Sequence, residues 1–321
     1  MKAIVVREFG GPEVLKLEEV PDPKPEAGQV VVAVRAAGVN PYDTYMRAGT
    51  YGARNPQLPF TPGSDAAGIV EAIGAGVTDL QPGDRVFTTG TLTGAYAERA
   101  LCARDRVCRL AENVSFAQGA AIGVPYATAY RALFQIARAR PGESLLVHGA
   151  SGGVGTAALQ SAHAAGMTVI GTAGSAEGLE QCRREGADFA VNHAARGYQK
   201  QILEFTAGRG VDVILEMLAN INLGDDLKLL ALRGRVAIVG SRGDVQITPR
   251  DAMSREGTIA GVMLWNAGDA DRAEIDAALQ AGLRDGTLRP IVGLELPLSA
   301  AGEAHERIAQ PGRLGKVVLV P

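Results

Sequence analysis

The run S-L-L-V-H-G-A-S-G-G-V-G-T-A-A-L-Q, Ser144 to Gln160, constrains the fold more than any other stretch. An apolar, strand-like segment enters a glycine cluster and leaves as a helix-like run. Ala150-Ser151-Gly152-Gly153-Val154-Gly155 reads A-x-G-x-x-G, with Ala150 where the first glycine usually stands and Gly149 just before it. Small residues here let the backbone turn sharply and approach a pyrophosphate, and the last glycine lets helix and strand pack closely. The free N–H groups of the following helix then face the anion. A glycine cluster alone is also compatible with a bare turn. Its place after a strand, before a helix and at the head of an alternating run supports a dinucleotide site.

That alternation sets the architecture of the middle of the chain. Strands are expected at Ser144–Gly149, Thr168–Ala173, Ala187–Val191, Val211–Met217, Arg235–Gly240 and Thr258–Leu264. Helices are expected at Gly153–Ala165, Glu177–Glu185, Tyr198–Ala207 and Leu223–Leu232, with a further one at Ala273–Ala281. The strands are apolar without alternation, as in a parallel sheet covered on both faces. Six of them suit a doubly wound dinucleotide fold. Ahead of this region, A-T-A-Y-R-A-L-F-Q-I-A-R-A from Ala127 has helical spacing and Pro141-Gly142 stops it. Arg138-Ala139-Arg140 is then a helix end.

The first third differs. K-A-I-V-V, Q-V-V-V-A-V-R-A and A-G-I-V-E-A-I-G are short, β-branched runs separated by P-D-P-K-P and Q-P-G-D-R turns. They predict a barrel-like antiparallel unit. Strand character returns in P-I-V-G-L-E-L-P-L and G-K-V-V-L-V, which are expected to complete that unit. The resulting division is residues 1–124 with 292–321, and an inserted domain at 125–291.

Composition removes several classes of function. A formal net charge of -3 and the lack of a dense basic patch give no support for nucleic-acid binding. Cys102, Cys108 and Cys182 are odd in number and form no C-x-x-C, which fits a reducing, cytoplasmic setting and small core residues. No run of 18 apolar residues predicts a membrane span, and the N-terminal apolar stretch is too short for a signal peptide.

The strand after the glycine loop speaks to the kind of dinucleotide. NAD sites place an acid at the end of that strand, roughly 20 residues on, to hold the ribose diol. Here T-V-I-G-T-A-G-S puts Gly174 and Ser175 there, and Glu177 falls late, in a helix start. The missing acid favours a 2'-phosphate, hence NADPH. Arg183, Arg184 and Arg242 are the candidate cationic partners.

Several longer motifs carry a resemblance. They include F-G-G-P-E-V-L-K-L (Phe9–Leu17), A-G-V-N-P (Ala37–Pro41), T-Y-M-R-A-G-T-Y (Thr44–Tyr51) and T-P-G-S-D (Thr61–Asp65). Later come G-A-A-I-G-V-P-Y-A-T-A-Y-R-A-L (Gly119–Leu133), V-H-G-A-S-G-G-V-G, E-M-L-A-N (Glu216–Asn220) and V-G-S-R-G (Val239–Gly243). Over essentially its whole length the chain resembles medium-chain dehydrogenases/reductases of the quinone oxidoreductase group, zeta-crystallin type. The resemblance implies an α/β fold: a GroES-like β-barrel-type catalytic domain with an inserted Rossmann-type doubly wound parallel sheet. It implies an NADPH-dependent, metal-free reductase of a small hydrophobic acceptor such as a quinone, by one- or two-electron transfer, working as a homodimer or homotetramer. Reduction of activated C=C bonds in enones or enoyl thioesters, and a structural or RNA-binding crystallin-like role, are the alternatives.

The same resemblance assigns residues. Tyr45 lies near the nicotinamide; Ser151, Gly152, Gly153 and Val154 hold the pyrophosphate; Gly174 lines the adenosine side; His193 is near the adenine. Asn222 sits above the sheet edge. Val239, Gly240, Ser241 and Arg242, with Val262, Met263 and Leu264, flank the ribose and nicotinamide. Asn40, Tyr45 and Tyr51 are the catalytic candidates. Many bacterial relatives carry a lysine for the 2'-phosphate at the position of Gly178; the zeta type and this chain lack it. Zinc-dependent cousins place a Cys where Asn40 stands and a His where Ser64 stands, so no metal is expected; the scattered Cys and His also offer no tetrahedral set. His148 is read as structural. Trp265 and Met263 are read as core or interface residues at a sheet edge where this family joins subunits.

Overall fold

The computed structural model describes residues 1–310 and 312–321. An N-terminal hairpin, β1 (Lys2–Val5) and β2 (Lys16–Glu19), precedes the long strand β3 (Gln29–Val39). After helix α1 (Pro41–Ala48) come β4 (Asp65–Ile73), β5 (Arg85–Thr88), β6 (Arg99–Ala103) and β7 (Val107–Arg109). Short helices α2 (Phe116–Gly119) and α3 (Gly123–Tyr130) lead to β8 (Ser144–Val147). Then α4 (Gly153–Ala164), β9 (Thr168–Ala173), α5 (Ala176–Arg184), β10 (Phe189–Asn192), α6 (Tyr198–Phe205) and β11 (Val211–Glu216) alternate. They are followed by α7 (Ala219–Leu229), β12 (Leu230–Ile238), α8 (Pro249–Arg255), β13 (Thr258–Gly261) and α9 (Asp269–Arg284). The chain closes with β14 (Val292–Pro297), α10 (Ala301–Ala309) and β15 (Lys316–Val320).

Two large sheets result. One runs β14-β15-β3-β4-β5-β7, with β6 also on β3, and is antiparallel except where β14 meets β15. Strands from both ends of the chain therefore share it. The valines of β3 are almost entirely buried, and register shifts near Val31 and Val34 bend the strand around its core. The other sheet runs β10-β9-β8-β11-β12-β13, and every pair in it is parallel. All four residues of β8 are buried, the uniform pattern of a strand covered on both faces. The order in which strands are added reverses between β8 and β11, so the crevice at their C-terminal ends is the topological switch point.

Several boundaries differ from the expected ones. The helix expected at Leu223–Leu232 starts at Ala219 and gives way at Leu230, which pairs with Val211. The sixth strand stops at Gly261, and Leu264–Asn266 turn into a short 3-10 segment. The helix after α3 widens into a π-type turn over Arg131–Ile136, with Ala137 N–H on Ala132 O. That turn points Arg131 and Gln135 at Asp271 in α9. Arg138 then breaks the helix with a φ of 50°. Helices α8 and α10 had no expected counterpart. α10 buries Ala301, Ala304, His305 and Ile308, so tertiary packing rather than a long periodic run secures it.

Candidate active site

The glycine turn leaves β8 through Gly149, whose φ of 57° is left-handed and suits a residue without Cβ. Ala150 N–H then bonds Thr172 O in β9, and Gly152 caps α4. A Cβ on Gly155 would lie 2.5 Å from Ala150 Cα, so this glycine lets α4 close on the turn. The first N–H groups of α4, from Gly153 onward, lack partners within the helix and face outward. Ser151 is buried, and its carbonyl accepts Gly315 N–H and Gln181 Nε2, both at 2.9 Å. Ser151 Oγ also reaches Arg313 O at 3.5 Å. The turn is thus stitched to the segment before β15.

At the end of β9, Ser175 Oγ accepts Gly178 N–H and caps α5, while Glu177 is exposed. His193 follows β10; its Nδ1 contacts Thr172 Oγ1 at 3.2 Å, and burial lowers its pKa. A Cβ on Gly174 would stand 3.0 Å from His193 Nε2, and one on Gly178 would stand 2.9 Å from Ala173 Cβ. Both glycines therefore keep this end of the sheet tight.

The remaining expected contacts gather at the ends of β11 to β13. Asn222 Nδ2 donates to Glu216 Oε1 at 3.1 Å. Val239 N–H bonds Glu216 O, Gly240 O accepts Ala219 N–H, and Arg242 N–H bonds Asn220 Oδ1. Ser241 and Arg242 are exposed, Val262 is buried and Leu264 half-buried. Val262 N–H bonds Ile238 O.

An aromatic wall stands across from these ends. Tyr45 and Tyr51 stack with centroids 6.4 Å apart, and Tyr51 Oη donates to Met263 Sδ at 3.8 Å. Tyr42 lies between Tyr51 (6.1 Å) and the edge of Trp265 (5.5 Å). Trp265 and Met263 therefore face the cleft as well as the sheet edge. Tyr42 Oη and Ser64 Oγ form a short hydrogen bond. Burial, with Asp43 beside it, raises the Tyr42 hydroxyl well above the ordinary phenol range.

Asn40 is 2% exposed and belongs to a buried network. Its Nδ2 donates to Asp65 Oδ2 at 2.8 Å, and its Oδ1 accepts from Lys316 Nζ. Lys316 Nζ also pairs with Asp65 Oδ2 at 2.8 Å, and Asp65 Oδ1 accepts Val124 N–H at 2.7 Å. One carboxylate thus ties together the starts of α1, β4, α3 and β15. The amide of Asn40, expected at the substrate, is hydrogen-bonded to Asp65 and Lys316.

Every other residue expected at the site stands at the C-terminal edge of the parallel sheet or on the facing wall. The sequence reading passed over Tyr42, Lys316, Arg313 and the carboxylates of Glu216 and Asp226. Asp65 was visible in T-P-G-S-D, but nothing local pairs it with Lys316, 251 positions away.

Comparison with known proteins accounts for this arrangement. A model of the alcohol dehydrogenase GroES-like domain matches residues 26–121, and one of zinc-binding dehydrogenases matches residues 153–281. The quinone oxidoreductase of Rattus norvegicus is 51% identical over 322 residues, covering 100% of this chain and 98% of the relative. The chain belongs to the quinone oxidoreductase group of medium-chain dehydrogenases/reductases. It is an oxidoreductase with a GroES-like domain and a Rossmann-like parallel sheet. Among solved structures, an NAD-dependent alcohol dehydrogenase superposes with a TM-score of 0.93 at 31% identity, each chain covered fully. The Escherichia coli quinone oxidoreductase complexed with NADPH does so with a TM-score of 0.90 at 29% identity, again over both whole chains.

Proposed function

We propose that this oxidoreductase uses NADPH to reduce a quinone, without a metal. The observation that carries the reading is a glycine turn and helix N-terminus at the switch point of a parallel sheet whose last strand leads into Met263 and Trp265, against a cluster of three tyrosines. It is supported by the 51% identity to a quinone oxidoreductase and by the NADPH complex of the E. coli relative.

The residues present fit a dinucleotide. The space at Gly149 and Gly152, where a Cβ would meet nothing closer than 3.5 Å, leaves the turn open to a pyrophosphate, with Ser151, Gly152, Gly153 and Val154 lining it. Gly174 and Ser175 place no carboxylate where a 2'-phosphate would sit, and His193 closes the adenine side. Burial and proximity to Arg242 both lower the pKa of Arg313, so two guanidinium groups lie near one another. That pair suits an anionic group better than a neutral one. Asn222, Val239–Arg242 and Val262–Leu264 flank the ribose and nicotinamide.

When bound, NADPH supplies a hydride. The protein's task is to orient the acceptor and exclude water. Tyr45 and Tyr51 give planar apolar faces for a quinone ring. Tyr42 Oη keeps its proton at any working pH and, with Ser64, offers hydroxyls to the acceptor's oxygen. Asn40 positions this wall through Asp65 and Lys316. A metal does not fit the place zinc occupies in the cousins. Asn40 Oδ1 there is taken by the Lys316 ammonium and Ser64 by Tyr42, and a fixed ammonium repels a second cation.

We take residues 1–124 and 292–321 as the catalytic domain and 125–291 as the dinucleotide domain. The exposed edge of β13, with Ile259 and Met263, supports assembly into a homodimer or homotetramer, which light scattering tests. Among the described residues no helix is long and apolar enough to cross a membrane. The functional test is a stopped-flow screen of NADPH oxidation with ortho-quinones, para-quinones, enones and enoyl thioesters, with NADH in parallel. Turnover with a quinone supports the reading; turnover with enones or enoyl thioesters alone replaces it with C=C reduction.

A further inference from the structure

Three ionisable side chains are buried together beneath the glycine turn, and the reaction above uses none of them. His148 follows β8 and immediately precedes Gly149; Glu216 ends β11; Asp226 lies in α7. They are 3%, 0% and 1% exposed. His148 Nε2 is 2.8 Å from Asp226 Oδ1 and 3.5 Å from Glu216 Oε2. Glu216 Oε1 accepts from Leu218 N–H and from Asn222 Nδ2. The other oxygens, Glu216 Oε2 and Asp226 Oδ2, have no hydrogen-bond partner. No Lys or Arg pairs with either carboxylate among the described residues.

Two buried carboxylates beside one imidazole, with no lysine or arginine to balance them, cannot all be deprotonated cheaply. One proton shared among the three groups relieves the cost. The groups facing the cluster do not supply an opposing charge. They are Asp225 on α7, Tyr198 on α6 and His193 after β10. Burial lifts both Glu216 and Asp226 to about 7 and pushes His148 down, so the shared proton titrates near neutrality.

We propose that His148, Glu216 and Asp226 form a one-proton acceptor beneath the pyrophosphate turn, and that binding of the anionic dinucleotide is coupled to proton uptake by this cluster. The proposal rests on the dinucleotide reading of the preceding section. The cofactor's phosphates bring negative charge to the turn that begins at Gly149, one residue from His148. A cluster that has lost its proton carries one more negative charge and repels them; a protonated cluster does not. Binding and protonation therefore favour each other by the same factor. The sign follows: affinity is full below about pH 7 and falls as the pH rises and the cluster loses its proton. Glu216 also carries the effect to Asn222, because the oxygen that orients the amide belongs to the titrating carboxyl group.

The test is isothermal titration of the full-length protein with NADPH between pH 6.5 and 8.5, in buffers of different ionisation enthalpy. Such buffers report the protons taken up on binding. The wild type should take up a fraction of a proton near pH 7.5, and its Kd should rise about fivefold or more across the range, an ordinary size for such coupling. NADH lacks the 2'-phosphate, so uptake that persists with NADH excludes titration of the ligand. The variants D226N and E216Q keep shape and hydrogen bonding but carry one carboxyl group fewer. Each should bind with less proton uptake and a Kd that moves less than about twofold over the same range. E204Q, at an exposed carboxyl group on α6 outside the cluster, should keep the wild-type slope. Binding with equal uptake in wild type, D226N and E216Q would overturn the proposal while leaving the cofactor reading intact. Loss of the slope in E204Q would overturn it too, by showing that the slope follows overall charge rather than this cluster. Absence of NADPH binding at every pH would overturn the cofactor reading and this proposal together.

Discussion

Replacing Lys316 by Met tests whether one buried carboxylate holds together the starts of α1, β4, α3 and β15. Lys316 and Asp65 have side chains only 4% and 0% exposed, with Nζ and Oδ2 2.8 Å apart. Met preserves most of the stem and removes the charge. Breaking a buried pair by deleting one partner costs about 3–5 kcal/mol, because the remaining charge is left uncompensated. Asp65 keeps two donors, Asn40 Nδ2 and Val124 N–H, which places the expected loss near the lower end, about 3 kcal/mol. With an unfolding entropy of about 2.1 cal/mol/K per residue over a chain of this length, that loss lowers Tm by about 4–5 °C. Calorimetry of K316M against wild type measures it. The double variant D65N/K316M removes the stranded charge and should recover most of the loss, since neutral replacement of a buried pair is often nearly free. A K316M protein within about 0.5 kcal/mol of wild type, the range of an ordinary surface substitution, would refute the reasoning. So would a double variant less stable than K316M.

Other perturbations follow from the same contacts. G155A places a methyl group 2.5 Å from Ala150 Cα, so it should cost about 1–3 kcal/mol in urea unfolding and weaken NADPH binding; an unchanged midpoint and Kd would contradict the packing argument. Y42F keeps the ring against Trp265 but removes the hydroxyl, so kcat should drop about tenfold or more with cofactor Kd unchanged; equal kcat would remove Tyr42 from the chemistry. Burial pushes Cys102 and Cys182 up to about 12 and Cys108 higher still, so a disulfide reagent at pH 7.5 should find no fast thiol in the folded protein and three after guanidinium. His305 is held down at about 3 by burial, so the unfolded chain takes a proton below pH 6.5 that the native state refuses, and stability falls by about 2 kcal/mol between pH 6.5 and 5. Asp43, lifted to about 7 and joined to His305 through Tyr96 Oη, acts oppositely, losing stability as pH rises. H305Q should therefore be relatively more stable at pH 5 than at pH 6.5, and a pH slope identical to wild type would count against this account.

Local pattern carried the parallel sheet and the glycine turn, because both are written in contiguous residues. The expected strands overlap the observed ones from β8 through β13, and even the carboxylate-free end of β9 could be read from Gly174-Ser175. What escaped is what depends on distance in sequence. α10 is a nine-residue helix whose apolar side chains make sense only against a sheet built mostly from the other end of the chain. α7 ends three residues early because Leu230, apolar enough for a helix, is taken by Val211 as a strand partner. Asn40 was legible as a polar residue in a catalytic segment. Its partners were not, since Asp65 and Lys316 reach it from 25 and 276 positions away. Tyr42 was hidden for the same reason: its hydroxyl has meaning only beside Ser64, and its ring only beside Trp265.

The short segment before β15 ties these long-range features to one another. Gly315 N–H holds the carbonyl of Ser151 in the glycine turn, and Arg313 O accepts Ser151 Oγ. The next residue, Lys316, reaches in the other direction to Asn40 and Asp65. Gly315 also bridges Gly152 in parallel fashion, so the contact is made of backbone and tolerates little slippage. Arg313, Gly315 and Lys316 thus fasten the glycine turn to the network that seats the tyrosine wall. Its geometry explains why the chain would return at its end to a sheet it began, after building a separate one. If the dinucleotide is gripped on one side of this strap and the acceptor is held by Tyr42, Tyr45 and Tyr51 on the other, the distance between them is set here. A hydride donor and acceptor tolerate little error in that distance, and a misplacement of about 1 Å is enough to cost about a hundredfold in rate.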